Sequence, residues 1–178
     1  MVSNEEILVN KRNGRGKEAL QIDKIHAMVG FATEGITGVS ASHVEMNSGI
    51  QIFDGISTSD IQQILIKSAN DLITLENPNY QYVAARLLLF SLRKQLFHKL
   101  WDHPKLIDHI KKLIEMGLYD KDILVKYDES EIDRMDMWID HERDYNFTYA
   151  GLRQVMDKYL VQDRSTGDIF ETPQFMYM

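Results

Sequence analysis

Five cations fall in a short span near the start of the chain. Lys11, Arg12, Arg15 and Lys17 share one turn around Gly14 and Gly16, and Lys24 follows just beyond it. Ammonium and guanidinium groups suit phosphate oxygens, above all beside the backbone N–H groups that open a helix. Thr58, ahead of a helix-periodic run, is a second candidate for a phosphate or ribose contact. Arg93 and Lys94 close a long apolar stretch and add charge only if that stretch folds back near the turn. Phe90 and Lys94 stand at i, i+4, which sets an aromatic ring beside a cation on one helix face. The plain alternative is a solvated basic turn. There is no Walker A pattern and no G-x-G-x-x-G, so neither standard nucleotide loop is available.

Other chemistry is sparse. The chain has no cysteine, which excludes disulfides, zinc ribbons, iron–sulfur ligation and thiol chemistry within it. His98, His103 and His109 lie in one region, but not at the i, i+4 spacing of a helical metal pair, and read as core or surface side chains. His141 sits in "WIDHERDYNFTY" among Asp140, Glu142, Arg143 and Asp144. A histidine with a carboxylate pair can do acid–base work. With no nucleophile and no metal set beside it, an ion-pair knot joining two helices is the better reading. Ser40, Ser42 and Ser165 have no partnered base in the sequence.

The elements that must position these residues can be read from periodicity. "ILVN" and "ALQI" are short β-type runs around the glycine turn and predict a hairpin. Asp23 is placed to cap a helix with an apolar face of Ile25, Met28, Val29, Ala32 and Ile36, ended by Gly35 and Gly38. Ser40 or Ser42 can cap a second helix through Val44, Met46 and Phe53. Thr58 or Ser59 caps a third, with Ile61, Ile64, Leu65, Ser68 and Leu72 inward. "YQYVAARLLLFSLRKQLF" is apolar nearly all round and predicts a central buried helix, with Arg93 and Lys94 at the end favoured by the helix dipole.

Beyond Trp101 a second helical unit begins: "HPKLIDHIKKLIEMG", "DKDILVKY", "DESEIDRMDMWI" and "TYAGLRQVMDKYLV", then a hairpin around "STG". Thr172 is a good N-cap and Pro173 a good first helical residue. That helix stops after about a turn, so Phe175, Met176, Tyr177 and Met178 are expected to lack a helix to sit on. The sequence is therefore expected to be the front part of a longer protein.

The 178 residues carry a net charge of −7, with 44% hydrophobic and 26% charged residues. Residues 1–26 are the exception: their five cations outweigh Glu5, Glu6, Glu18 and Asp23. The acidic balance argues against a general nucleic-acid binder. No apolar run reaches membrane-spanning length, and "MVSNEEILVN" is not a secretory signal, so a cytoplasmic protein with no membrane partner is expected.

In order and spacing, "VNKRNG…EALQIDKIH", "DGISTSDIQQILIKSA" and "NPNYQYVAARLLLFSLRK" resemble the ATP-cone of the large (alpha) subunit of class I ribonucleotide reductases. The resemblance continues through "IDHERDYNFTYAGLRQVMDKYLV" to "STGDIFETPQFMYM", covering about Val9 to Met178. It is to the T-even phage and enterobacterial type, with "ETPQF" and Gln62 closer to the phage version. It implies an α+β, mostly α, fold: an ATP-cone over residues 5–98, built as a four-helix bundle capped by a small β-sheet. Residues 99–178 would start the reductase's helical domain, with a β-hairpin, ending before the catalytic barrel.

The family's site binds ATP as activator and often dATP as inhibitor, here with Mg2+. Carried over, Lys11, Arg12 and Lys94 hold phosphates. Glu18 and Gln21 read the adenine edge. Lys24 and Thr58 complete the cradle and Phe90 lines it. Ala19, Leu20, Ile22, Asp23 and Gln62 also belong to the site. Three departures stand out. "GRGKEAL" is one residue longer than the version compared, which displaces Glu18. Gln21 replaces an asparagine, and Gln62 a histidine of dATP-inhibited relatives. Weakened ATP/dATP discrimination or inhibition is expected.

The family's catalytic cysteines, asparagine, glutamate and radical-relay tyrosines lie beyond the equivalent of Met178, so no catalytic residue is assigned. The implied partners are the remainder of the large subunit and the small radical-bearing subunit, in an oligomer. Two other readings remain: a free-standing or split-gene interaction protein that binds reductase subunits without nucleotide control, and a zinc-ribbon repressor of reductase genes, disfavoured by the absence of cysteine.

Overall fold

The computed structural model describes residues 7–11, 16–49 and 52–178. Chain packing divides into two compact units. One comprises residues 1–91 with 147–150, the other 92–146 with 151–178.

In the first unit, β1 (Leu8–Asn10) and β2 (Lys17–Ala19) form an antiparallel hairpin, with Val9 opposite Glu18 and Asn10 opposite Lys17. The other edge of β1 is also satisfied. The Asn10 amide donates to the Ile56 carbonyl at 2.9 Å, the Gly55 amide to the Leu8 carbonyl at 2.8 Å, and the Leu8 amide to Asp54 Oδ1 at 2.8 Å. Gly55 makes this return at φ +83°, a conformation that suits glycine. The hairpin is thus tied to the segment that opens the third helix.

Helix α1 (Ile22–Thr33) starts earlier than expected. Gln21, not Asp23, holds the N-cap position, and Asp23 sits in the first turn, where its charge favours the helix dipole. Strand β2 correspondingly ends at Ala19 rather than running through "ALQI". Val29 and Ala32 are buried as expected. The Arg86 guanidinium donates to the Glu34 carbonyl at 2.6 Å and weakly to Ala32 at 3.4 Å, supplying partners to carbonyls that a helix end leaves open.

Helix α2 (Ala41–Gly49) buries Val44 and Ser48. The extension to Met46 and Phe53 as inward residues is corrected: both side chains are exposed, and Phe53 lies past the helix. Ser40 offers its amide, not a side-chain cap, to the Tyr80 hydroxyl at 3.0 Å. Helix α3 (Thr58–Asp71) is capped by Ser57, whose Oγ accepts from the Asp60 amide at 3.0 Å, so Thr58 and Ser59 are already helical. Helix α4 (Tyr80–Phe97) coincides with the expected central helix and buries Val83, Ala84, Leu87, Leu88, Leu89 and Phe90. Its last turns belong to the second unit.

The second unit is built on α5 (Leu106–Glu115), α6 (Ile123–Lys126) and α7 (Glu129–Asp136), followed by α8 (Tyr149–Lys158) from Gly151 onward, the hairpin β3 (Gln162–Asp163) with β4 (Asp168–Ile169), and α9 (Pro173–Tyr177). Asp128 and Glu131 form a reciprocal capping box on α7. Leu106, Ile107, Ile110, Ile132 and Phe175 make the core. That places Phe175 against α5 and α7, with Met178 packed on the same cluster, and corrects the expectation for these two residues that they would have nothing to pack on, while Tyr177 is exposed as expected. Thr172 holds the N-cap position of α9 but makes no side-chain cap bond. The short helix is held by Phe175, not by capping. Among the described residues the elements are mostly helical with two small antiparallel hairpins, an α+β fold.

Candidate nucleotide site

Hairpin geometry brings Lys11 and Glu18 together. The Lys11 amide donates to the Gly16 carbonyl at 3.0 Å, closing the neck of the turn, and Lys11 Nζ stands 2.9 Å from Glu18 Oε2. Both side chains are open to solvent, at 44% and 29% exposure. The hydrogen bond from Lys11 holds the Glu18 carboxyl below its usual range, and the charges of Lys11 and Lys24 act in the same direction. Glu18 is therefore a carboxylate at neutral pH, flanked by two ammonium groups. Lys24 reaches this spot because α1 begins only two residues after Leu20.

The opening of α3 joins them. A parallel bridge between Asn10 and Ser57 sets the α3 cap beside the end of β1, one residue from Lys11. The first amides of α3 lack intrahelical acceptors, as at any helix start, and present a partial positive charge. Thr58 is half-buried at this end. Lys11 and Lys24 thus both act on Glu18, the cap of α3 is bridged to the residue before Lys11, and Gln21 is exposed at the N-cap of α1. Ala19 and Leu20 are half-buried in the connection, while Ile22 and Asp23 are exposed on the first turn of α1. Arg12 and Arg15 lie outside the described residues.

Other expected residues are placed differently. Gln62 is 2% exposed, and its Nε2 donates to the Leu87 carbonyl of α4 at 3.0 Å. Its carboxamide is committed to the α3–α4 interface. Phe90 is buried, and Lys94 is half-buried one turn later on α4. Arg93 does not add charge at a solvent-facing helix end: it is 1% exposed, with Asp144 Oδ2 3.6 Å from its Nη2.

The polar run around His141 is the ion-pair knot expected of it. Arg93 donates to the His141 carbonyl at 2.5 Å and the Tyr145 hydroxyl at 3.1 Å, and Gln174 Nε2 donates to Asp144 Oδ1 at 2.9 Å. His103 and His141 stack at 3.7 Å between ring centroids, and His109 stacks on Phe175 at 4.2 Å. Burial lowers all three histidines to about 4, so the rings are neutral at pH 7. Among the described residues no group of three or more His, Cys, Asp or Glu side chains could hold a metal ion. The role of Arg93 escaped the sequence reading. A signal was present: an arginine inside an otherwise apolar run needs a buried anion, and Asp140–Asp144 supplies one.

The ATP cone domain model matches residues 7–95. The ribonucleoside-diphosphate reductase 1 alpha subunit of Escherichia coli is 49% identical over 175 residues, which is 98% of this chain and 23% of that protein. The alpha subunit of Haemophilus influenzae is 48% identical over the same shares. That of phage T4 is 42% identical over 172 residues, 96% of this chain and 22% of the phage protein. The chain thus spans less than a quarter of the length of these relatives. Over the matched length, identity is higher to the enterobacterial protein than to the phage one, although "ETPQF" and Gln62 suggested the phage version. With half of its length matched by the domain model, the chain belongs to the ATP-cone family.

Proposed function

We propose that this chain is the allosteric activity-site module of a ribonucleoside-diphosphate reductase, taking ATP as activator at the hairpin and the α3 opening and binding dATP there with weakened discrimination or inhibition. The observation that carries this reading is that Lys11 and Lys24 both act on Glu18 while the cap of α3 is bridged to the residue before Lys11, inside the segment matched by the ATP-cone model. Two ammonium groups and a row of helix-start amides suit a polyphosphate. A carboxylate at neutral pH accepts from the exocyclic amine of adenine. Lys11 is held beside the site by Glu18, and solvent keeps that exposed pair weak enough to exchange for a phosphate.

In this reading Lys11, Arg12 and Lys94 hold phosphates, Glu18 and Gln21 read the base, and Lys24 and Thr58 complete the cradle. Ala19, Leu20, Ile22 and Asp23 form the backbone edge. Phe90 backs the site from the core, and Gln62 acts through the α3–α4 interface. The nucleotide arrives as its Mg2+ complex. Residues 5–98 are the cone domain, and 99–178 begin a helical domain that joins the rest of the large subunit. The small radical-bearing subunit and an oligomer complete the enzyme, in the cytoplasm. Among the described residues no helix is long and apolar enough to cross a membrane.

Calorimetric titration with Mg–ATP, Mg–dATP and Mg–GTP tests the proposal. Saturable binding of both adenine nucleotides, with GTP much weaker, is expected. No binding of any of the three contradicts it and leaves the reading of an interaction module without nucleotide control.

A further inference from the structure

Asparagine is a poor strand former, yet Asn10 ends β1, directly before Lys11. Its side-chain partner accounts for it. Asn10 Nδ2 donates to the Gly55 carbonyl at 2.6 Å, beside the backbone bond from the Asn10 amide to the Ile56 carbonyl at 2.9 Å. At the start of the same strand Asp54 Oδ1 accepts from the Leu8 amide at 2.8 Å, beside the backbone bond from the Gly55 amide to the Leu8 carbonyl. Two side chains thus reinforce the backbone bonds between β1 and residues 54–57. All of these residues lie in the first unit and inside the segment matched by the ATP-cone model.

The consequence falls on Lys11 and α3. A two-stranded hairpin is marginally stable at best in water by itself, so the three-residue β1 needs its second neighbour to hold its place. That neighbour runs straight into Ser57, the N-cap of α3, which forms a parallel bridge with Asn10. The backbone of Lys11 is therefore held at a set spacing from the amides that open α3. Asn10 and Asp54 supply neither the ammonium nor those amides; they fix the spacing between them. We infer that Asn10 and Asp54 are positioning residues for the nucleotide site: they clamp β1 to the α3 opening so that one polyphosphate can meet Lys11 and the helix-start amides together. The inference rests on the nucleotide-site reading above. It makes ATP affinity depend on two uncharged contacts to main-chain atoms, made by side chains that touch no nucleotide.

The test is calorimetric titration of the full chain with Mg–ATP, on variants whose folding is checked by circular dichroism. Asn10→Ala removes the donor to Gly55, and Asp54→Ala the acceptor of the Leu8 amide. Each is expected to weaken ATP binding about fivefold, the lower end of usual coupling between sites. Asp54→Asn keeps an acceptor oxygen in the same shape and should retain the affinity of the unsubstituted chain. Combined with Lys11→Ala, both alanine substitutions should cost less than they do alone, because one of the two positioned groups is gone. A merely structural role would lower affinity equally in both backgrounds. Should one alanine variant fail to fold, the other decides. Unchanged affinity in the folded alanine variants, or the same loss with and without Lys11, overturns the inference while leaving the nucleotide site standing. A loss in Asp54→Asn as large as in Asp54→Ala assigns the effect to charge and overturns it as well. No ATP binding by the unsubstituted chain overturns the site reading and the inference together.

Discussion

The pairing of Lys11 with Glu18 joins an ammonium and a carboxylate across the neck of the hairpin. The lysine is already at the neck of the hairpin, and the carboxylate beside it is held ionised by that lysine and by Lys24. The basic turn was legible from residue types alone. Its carboxylate partner was assigned by resemblance, and the register of Val9 with Glu18 explains how the pair meets. Gln62 was less legible. The sequence offered a glutamine where relatives carry histidine, but only packing reveals that its amide is spent on the Leu87 carbonyl. A residue so committed is poorly placed to sense a missing 2′-hydroxyl directly. We therefore expect similar affinities for ATP and dATP, and a larger ATP-to-dATP difference in Gln62→His. Competition titrations check this, and strong discrimination by the unsubstituted chain contradicts it.

At the scale of elements, α4 was read end to end because its apolar content and its flanking "NPNY" leave no alternative. Helix starts were harder. Ser57, Thr58 and Ser59 are all competent caps, and only the position of the Asp60 amide selects Ser57. Removing that oxygen in Ser57→Ala is expected to cost about 1 kcal/mol of stability. Because the same cap stands beside β1, the substitution should also weaken ATP binding several-fold; chemical denaturation and calorimetry on one variant check both. The last helix shows the opposite limit. Five residues cannot hold a helix by themselves, and nothing in the residue pattern signals that Phe175 is enclosed by α5 and α7. Phe175→Ala is expected to cost about 3–5 kcal/mol, the range for a buried aromatic, visible as a lower denaturation midpoint.

For the molecule as a whole, both tryptophans, Trp101 and Trp138, belong to the second unit, so intrinsic fluorescence reports on that unit. Burial lowers His103, His109 and His141 from an ordinary 6.5 to about 4. The unfolded chain binds those protons first, so the stability they confer is full above pH 6.5 and is lost as pH falls toward 4. Asp144 opposes this. Burial raises it from 3.8 to about 6, so its contribution is full below 3.8 and lost as pH rises through 6. Three groups outweigh one, and the fluorescence-detected urea midpoint should be lower at pH 5 than at pH 7.5. Equal midpoints would contradict the burial of these rings.

The central claim is that the hairpin neck and the opening of α3 form a polyphosphate site. The most direct measurement is calorimetric titration of the chain and its Lys11→Ala variant with Mg–ATP under identical conditions. Saturable binding by the chain and at least about tenfold weaker binding by the variant are expected, the scale of a lost charge-assisted contact. Equal affinities, with both proteins folded, would place the nucleotide elsewhere and contradict a polyphosphate site at the hairpin neck.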